Sequence, residues 1–341
     1  MREDAVWGRV NPSVNASLFS SYYGTVSFGT RGVCLKPASQ RVSIAQSFGR
    51  YFLTNNSQLT FCILTFDKTP WLKRSLMSIR HHCKIDYLVK ILSQGRPDLE
   101  LTKFLEQLGD DKIELLTSEV NLGCDGGRKF LAQRVTTPFA MMLDDDMYLT
   151  ETSVMSALDV LKTNPEIGTI SMPQYSPQDR LISPGGQKLI VRDGVIHMYR
   201  PSVDTPAPWI EIQHIDGGAM FFRTEMREIF TWDDRSGFLQ DLDKSLQIVR
   251  SARWKQAIAP RGRLIHDRSW VGKKPIYEGT RFNGMTLHRN YEYFRKKWGL
   301  RLNLRTHLLY EAVFPLVTLT RFPVTVSQID KYTRSARRLP V

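Results

Sequence analysis

Cysteine is scarce in this chain of 341 residues, which contains four. Cys34, Cys62, Cys83 and Cys124 are far apart and form no C-x-x-C pair. The spacing therefore predicts neither a zinc site nor a disulfide framework. Isolated reduced thiols are typical of an intracellular protein.

Long apolar runs are also missing. The chain opens with Met1-Arg2-Glu3-Asp4, without an apolar signal core, and no stretch of about 18 apolar residues occurs anywhere. These absences lead us to expect a cytoplasmic protein. Apolar residues still make up 42% of the chain, enough for a sizeable core, which excludes a mainly disordered protein.

Acidic residues are scarce only toward the carboxyl terminus. Residues 250–341 contain 20 Lys and Arg against 5 Asp and Glu, whereas residues 1–249 contain 27 against 29. This asymmetry suggests contact with an acidic partner, which can be a phosphorylated small molecule, a nucleic acid or an anionic membrane surface. A solvated basic face that serves solubility explains the same charge.

Several common catalytic motifs are absent. The glycines of residues 123–127 lack the Lys-Ser/Thr pair of a Walker loop, and no Gly-x-Ser-x-Gly elbow occurs. His81-His82-Cys83 has metal-binding atoms but no matching second cluster. The sequence therefore favours neither a P-loop enzyme, nor a serine hydrolase, nor a zinc protein.

Strand-like and helix-like patterns alternate after residue 57, which predicts βαβ units and a mostly parallel sheet flanked by helices. The predicted strands are 59–66, 87–92, 113–117, 139–143, 167–172 and 215–222, and the predicted helices are 71–81, 99–108, 126–134, 153–162 and 238–250. A hairpin over 188–199 with an Asp193-Gly194 turn makes the sheet mixed.

The same pass along the chain predicts three regions. Residues 1–57 form an appended segment, residues 58–275 a catalytic domain, and residues 276–341 a basic, partly helical extension. In that extension, aromatic and basic side chains mix around Tyr291–Trp298, a pattern that suits an anionic interface or single-stranded nucleic acid.

The most informative pattern is Asp144-Asp145-Asp146, directly after an apolar strand. Three adjacent carboxylates repel one another unless a cation lies between them, and hard divalent cations prefer oxygen ligands. If the strand continues through them, alternate side chains share a side, so Asp144 and Asp146 face one cleft and Asp145 the other. A solvated acidic loop is the alternative.

Two later segments offer further candidates. Asp241 begins an amphipathic helix, where it can act as a general base or simply as a helix-start acid. His266 can bring a neutral imidazole to a metal, although a lone His is more often structural. Beyond it, Arg268 and Lys273 can neutralise a departing diphosphate or form a solvated basic loop.

Taken in order, these segments resemble a family 2 glycosyltransferase with a GT-A type, Rossmann-like fold, an inverting enzyme that uses a nucleotide-sugar donor. Asp144–Asp146 resembles the family's Asp-x-Asp motif, and Gln240–Asp243 is similar to its Glu-Asp-x-Asp. The resemblance implies that Asp144, Asp146 and His266 hold Mn²⁺ or Mg²⁺, with Asp144 and Asp145 also contacting the donor. It further implies that Asp241 is the catalytic base.

The resemblance extends to the donor site. The implied donor-binding residues are Thr65, Phe66, Asp67, Arg128, Asp216, Gly217 and Gly218. Residues 91–94 depart from the family pattern, because members often carry a base-reading Asp at the end of the second strand, where this chain has Ile91-Leu92-Ser93-Gln94.

The sequence thus predicts metal-dependent, inverting transfer of a sugar from a nucleotide-sugar to an acceptor hydroxyl. A lipid-linked or membrane-proximal acceptor is favoured, with peripheral membrane contact through the basic carboxyl-terminal part. Two alternatives stay open: a metal-dependent nucleotidyltransferase or nuclease using the same carboxylates, and a non-catalytic nucleic-acid-binding protein.

Overall fold

The computed structural model describes residues 57–95, 97–270 and 284–303. Its first part alternates between strands and helices, as the apolar periodicity predicts. The elements are β1 (Leu59–Thr65), α1 (Thr69–His82), β2 (Tyr87–Gln94), α2 (Leu99–Leu108), β3 (Ile113–Ser118), α3 (Gly123–Ala132) and β4 (Phe139–Asp144).

The second part is richer in short strands. Its first elements are β5 (Met147–Leu149), α4 (Ser153–Thr163), β6 (Ile167–Ser171), β7 (Gln174–Tyr175), β8 (Leu181–Ser183), β9 (Gly186–Arg192), β10 (Val195–Tyr199), β11 (Ile210–Ile212), β12 (His214–Ile215) and β13 (Ala219–Arg223). Two 3₁₀ helices follow, at Thr224–Glu228 and Asp234–Leu239. The remaining elements are α5 (Gln240–Ser251), β14 (Lys255–Ile258), β15 (Leu264–His266), α6 (Gly284–Trp298) and β16 (Arg301–Leu302).

An eight-stranded sheet in the order β11-β14-β6-β13-β4-β1-β2-β3 forms the centre. The strands β4, β1, β2 and β3 are parallel to one another, whereas β13 runs antiparallel to both of its neighbours, β4 and β6. The prediction of a mixed, mostly parallel α/β sheet is confirmed. Because β1 and β4 are adjacent and parallel, their carboxyl ends meet at one edge of the sheet, where ligands bind in folds of this kind.

Side-chain alternation along β1 builds a core on both faces of this sheet. Phe61 and Ile63 pack with Leu72 of α1, whereas Cys62 packs on the opposite face with Leu131 of α3. All five are buried, and burying one such large apolar side chain contributes about 1.5–3 kcal/mol. The two apolar layers hold the sheet edge rigidly beneath the segments that follow each strand.

Two four-stranded sheets complete the described part of the chain, in the orders β12-β9-β10-β16 and β5-β15-β7-β8. The predicted hairpin is confirmed as β9 and β10. Asp193 and Gly194 form its turn with φ angles of 49° and 72°, as a tight turn of this type requires.

The helix α6 packs against α5, in the region predicted to be an extension. Tyr291 and Phe294 of α6 are fully buried with Leu242 and Leu246 of α5. The basic end of the chain therefore begins with a helix that supports the domain. Among the described residues, no helix combines the length and apolar character needed to cross a bilayer.

Candidate functional site

The acidic turn that follows β4 is paired with a buried lysine. The strand ends at Asp144, and residues 145–146 form a turn. Lys68, three residues beyond β1, lies 3.1 Å from Asp145 Oδ1 and 3.2 Å from Asp146 Oδ2. The extended backbone stops at Asp144, so strand alternation does not define the sides of Asp145 and Asp146, and the shared cleft of Asp144 and Asp146 stays a prediction. Asp145 and Asp146 share the lysine.

Further groups fix these two carboxylates. Thr65 Oγ1 donates to Asp145 Oδ2 at 2.8 Å, and the Trp270 indole N–H donates to Asp146 Oδ2. The Lys68 ammonium also lies 4.2 Å from the centre of the Trp270 ring. Asp145 and Asp146 are only 3% and 2% exposed, so without these partners their burial as anions would be strongly unfavourable.

Burial raises the pKa of Asp145 to about 6, even though Lys68 opposes the shift. Burial would raise the pKa of Asp146 as well, but His266, Lys68 and the Trp270 hydrogen bond together hold it below its usual value. Of the two, Asp146 is therefore the more firmly ionised carboxylate.

His266 faces Asp146 across a short gap. Its Nε2 lies 3.6 Å from Asp146 Oδ1, and its Nδ1 lies 3.2 Å from the Gln174 amide oxygen. If the imidazole carries its proton on Nδ1, that oxygen accepts it and the Nε2 lone pair points toward Asp146. Burial lowers the pKa of His266, and the Asp146 carboxylate opposes this shift.

Arg128 joins Asp144 to Asp241. Its Nη2 lies 2.9 Å from Asp144 Oδ1 and its Nη1 lies 3.2 Å from Asp241 Oδ1. The two carboxylates are about one-third exposed, at 35% and 30%, whereas the Arg128 side chain is 6% exposed. A buried guanidinium thus holds two solvent-accessible acids, 97 residues apart in sequence, at one cleft.

Gly217 and Gly218 lie directly beneath these acids. A Cβ added to Gly217 would come within 1.9 Å of Asp241 Oδ1, and one added to Gly218 within 3.0 Å of Asp144 Oδ2. Any side chain at Gly217 would displace Asp241. The paired glycines therefore allow the strand backbone to approach both carboxylates, and Asp216, which the Ser183 hydroxyl contacts, borders the same cleft.

Ser245 fixes the start of α5 against this glycine segment. Its hydroxyl donates to the Asp241 carbonyl at 2.7 Å and accepts from the Ile215 amide at 3.1 Å. One fully buried serine therefore ties the first turn of α5 to the strand that leads into Asp216-Gly217-Gly218.

The end of β1 and the two residues after it include three of the predicted donor-binding residues. Thr65 supports Asp145, Phe66 is half-buried, and Asp67 is exposed with φ at 56°. Gln94, at the end of β2, is buried and accepts from the Leu122 amide at 2.7 Å. Its amide group therefore orders the start of α3.

The sequence predicts that two basic residues, Arg268 and Lys273, lie beside the leaving diphosphate. Arg268 is exposed, two residues after His266. Lys273 lies outside the described residues, so its contact with a diphosphate stays a prediction.

A divalent cation would find two fitting ligand atoms here. Asp146 Oδ1 is buried without a hydrogen-bond partner, and it lies 3.6 Å from His266 Nε2. Asp144, the third predicted ligand, contacts Arg128 through Oδ1, and its role as a ligand stays a prediction. In the described part of the chain, no group of three or more His, Cys, Asp and Glu side chains is arranged to hold a metal, so the described residues offer one pair of neighbouring donor atoms.

Sequence reasoning missed Lys68 and Trp270 as partners of the acidic turn. Lys68 follows β1 and the aspartates follow the adjacent parallel strand β4, so the shared sheet edge was the available signal. Trp270 gave no comparable signal, because its contact with Asp146 spans 124 residues.

Comparisons with known proteins agree with this fold. A sequence model of glycosyl transferase family 2 matches residues 60–230, which cover β1 to β13 and the acidic turn. No curated protein matches the sequence.

Among solved structures, the chain is similar to GalNAc-T7, whose crystal structure contains UDP, GalNAc and Mn²⁺. The TM-score is 0.51 at 11% identity, over 79% of this chain and 59% of that one. The chain therefore spans about three fifths of the length of this structural relative, and the likeness confirms the predicted GT-A type fold. Since the family model covers half of the sequence, the chain belongs to glycosyl transferase family 2.

Proposed function

We propose that this chain transfers a sugar, with inversion, from a nucleoside diphosphate sugar to an acceptor hydroxyl. The observation that carries the proposal is the contact of Arg128 with both Asp144 and Asp241 above Gly217-Gly218. A transferase of this type needs a carboxylate at the acceptor beside a site for the donor's diphosphate. Family membership supports the transfer itself.

Asp241 is the proposed general base. As the acceptor oxygen forms its bond to the anomeric carbon, its proton passes to the Asp241 carboxylate. The bond between that carbon and the diphosphate oxygen breaks on the opposite face, and its electron pair leaves with the nucleoside diphosphate. General bases of this kind contribute about 10²–10⁴-fold to a rate.

Asp146 and His266 are the proposed metal-binding residues, because Asp146 Oδ1 has no hydrogen-bond partner and lies 3.6 Å from His266 Nε2. Bound Mn²⁺ or Mg²⁺ supplies positive charge to the leaving diphosphate. Lys68 keeps Asp146 in place. Arg268, two residues after His266, is exposed. Removing one electrostatic stabiliser of a leaving group costs about 3–4 kcal/mol in the transition state.

The nucleotide is best sought first among UDP-sugars, since the similar GalNAc-T7 structure holds UDP. Gln94 gives a reason to test other bases as well. Its amide oxygen accepts from the Leu122 backbone, so a base-reading role like that of the family's Asp would require it to leave that contact.

The direct experiment is a donor screen with the full chain. Each sugar nucleotide is incubated with Mn²⁺ or with EDTA, and release of nucleoside diphosphate is followed. We expect one nucleoside diphosphate sugar to be turned over with Mn²⁺ and not with EDTA. Release of pyrophosphate from a nucleoside triphosphate, without turnover of any sugar nucleotide, would support a nucleotidyltransferase and contradict the proposal.

The metal assignment has a test of its own. Asp146→Ala should lose the Mn²⁺-dependent part of donor binding, as measured by calorimetry. The control is Asp159→Asn, an exposed acid on α4, which should bind donor as the wild type does. Equal Mn²⁺-dependent affinity in the wild type and Asp146→Ala would refute the assignment.

A further inference from the structure

The sheet β12-β9-β10-β16 has one face packed on the domain and one face toward solvent. Leu189 of β9, Ile196 of β10 and Leu302 of β16 are buried with residues of α5 and α6. Because strand side chains alternate, their neighbours point outward. We call this outward side the outer face; it comprises Lys188, Ile190, Arg192, His197, Tyr199 and Arg301.

The register brings these side chains together. Lys188 lies opposite Tyr199, and Ile190 lies opposite His197, across the β9–β10 ladder. Arg301 pairs with Val195, which also lies opposite Arg192. The outer face is therefore one continuous surface built from three strands.

The outer face is basic and partly apolar. Lys188, Arg192 and Arg301 are exposed, and none of them forms an ion pair with a described residue. Ile190 and Tyr199 are 39% and 47% exposed. The strands β9, β10 and β16 contain no Asp or Glu, so the nearest acid in sequence is Asp193 in the hairpin turn.

We propose that the outer face docks on a membrane surface rich in anionic phospholipid. Cationic side chains around exposed apolar ones match the chemistry of such an interface, where lysines and arginines meet phosphate and carboxylate head groups. Tyr199 suits the head-group level, where tyrosine is enriched, and Ile190 suits the acyl boundary.

A single-stranded nucleic acid is the other polyanion that a basic face can bind. Proteins that bind such strands combine a positively charged groove with aromatic side chains on which successive bases stack. The outer face is the surface of a sheet, and its only ring-bearing side chains are one tyrosine and one histidine in neighbouring cross-strand pairs. Its exposed isoleucine fits lipid better than phosphate, which is why a bilayer is the occupant we propose.

The outer face is connected through β9 to the glycine segment of the sugar-transfer site. Gly186, the first residue of β9, pairs with Ile215, and the Asp216 amide donates to the Gly185 carbonyl at 3.1 Å. From Gly186 the strand extends for six further residues, about 20 Å at the usual rise. Docking of lipid on the outer face does not depend on the proposed function.

The test is co-sedimentation of the full chain with vesicles of phosphatidylserine and phosphatidylcholine, beside vesicles of phosphatidylcholine alone. The variant reverses Lys188, Arg192 and Arg301 to Glu. Because each basic residue near an anionic surface changes binding by about 5-fold, we expect the triple variant to lose about 100-fold of its partition into the anionic vesicles. Binding by the wild type should weaken as salt rises and be much weaker on phosphatidylcholine.

A matched variant reverses three exposed lysines elsewhere, Lys84, Lys103 and Lys162, and so changes the net charge equally. It should bind the anionic vesicles nearly as well as the wild type. Ile190→Ser with Tyr199→Ser leaves the charge unchanged and should also weaken binding. Thermal unfolding of each variant checks that it is folded.

Three results would overturn the proposal. They are equal binding of the wild type to anionic and neutral vesicles, equal loss of binding in the two triple variants, and tighter binding of a single-stranded oligonucleotide than of vesicles that is lost in the outer-face variant. Turnover of a sugar nucleotide in solution does not depend on binding to vesicles. Failure of the membrane-docking proposal is therefore distinguishable from failure of the proposed transfer reaction.

Discussion

At the scale of single residues, Lys68 makes the acidic turn possible. Two buried carboxylates side by side repel each other, and Lys68 places one ammonium within 3.2 Å of both. The Trp270 ring lies against the same ammonium, which adds a cation–π contact in place of water. The sequence shows the need for a counter-charge, but its identity depends on β1 and β4 being neighbours.

Replacing Lys68 by methionine should therefore destabilise the fold. Lys68→Met leaves Asp145 and Asp146 buried without their cation, and breaking a buried pair in this way costs about 3–5 kcal/mol. Urea unfolding measures the change. The control is Lys73→Met, which removes a partly exposed ion pair with Glu100 and should cost under about 1 kcal/mol. Equal midpoints for the two variants would show that Lys68 is not the essential counter-ion.

At the scale of elements, the position of α5 depends on contacts from distant parts of the chain. Ser245 joins its first turn to the strand before Gly217, and Asp243 receives the Trp298 indole N–H at 2.6 Å and Lys297 Nζ at 2.8 Å, both from α6. The helix that carries the proposed base is therefore held from the glycine side and from the carboxyl-terminal side. The α6 contact lies outside residues 60–230, which the family model covers.

Ser245→Ala should lower turnover more than donor affinity. It leaves the buried Ile215 amide without its acceptor, at a cost of about 1–3 kcal/mol, and it loosens Asp241. Because Ser245 is fully buried and acts through Asp241, we expect kcat to fall about 10-fold while KM for the donor changes little. Small displacements of a catalytic group have effects of this size or larger.

Ser251→Ala is the matched control, because Ser251 caps the other end of α5 through the Ile248 carbonyl. It should keep kcat near the wild-type value. If the two serine variants lower kcat equally, Ser245 acts through overall helix stability and has no specific positioning role.

Asp233 gives the packing of α6 a pH dependence. Hydrogen bonds from Arg235, and a further one from the Tyr293 hydroxyl of α6, hold the pKa of Asp233 well below its usual value of 3.8. The folded chain therefore binds this proton less readily than the unfolded chain does. The stabilisation from Asp233 should be fully present above about pH 4 and should be lost as the pH falls further.

The free energy of unfolding of the wild type and of Asp233→Asn is measured between about pH 3 and about pH 7. This range includes the ordinary pKa of a carboxyl group. The difference between the two proteins should be largest near neutrality and should shrink at the acid end. A difference that stays constant across this range would mean that the carboxylate charge of Asp233 contributes nothing.

At the scale of the whole molecule, the long apolar runs predict the main sheet well, because strands such as β1 and β4 are buried on both faces. Short strands such as β7 and β12, each of two residues, show no periodicity, and only their partners define them. The start of α3 at Gly123, three residues before the predicted start, has a similar cause. The Asp234 carboxylate accepts from the amides of Asp125 and Gly126, and this cap is invisible in the local sequence.

In the candidate site too, some features are predictable from local sequence and others depend on long-range packing. The acidic turn, the paired glycines and Asp241 are identifiable from the sequence because each has a local pattern. The contact of Arg128 with both Asp144 and Asp241, and the pairing of Asp145 and Asp146 with Lys68, depend on the packing of α5 and on the turn at residues 145–146. Local patterns therefore identify candidate residues, and long-range packing decides which of them act together.

The central claim is that Asp241 accepts the acceptor's proton beside an intact donor site. The most direct measurement compares turnover and calorimetric donor affinity in Asp241→Asn, with Asp159→Asn as the control, once the donor screen has identified the donor. We predict that Asp241→Asn binds donor and Mn²⁺ about as tightly as the wild type while its turnover falls at least about 100-fold, and that the control matches the wild type in both. Turnover by Asp241→Asn close to that of the wild type would contradict the claim.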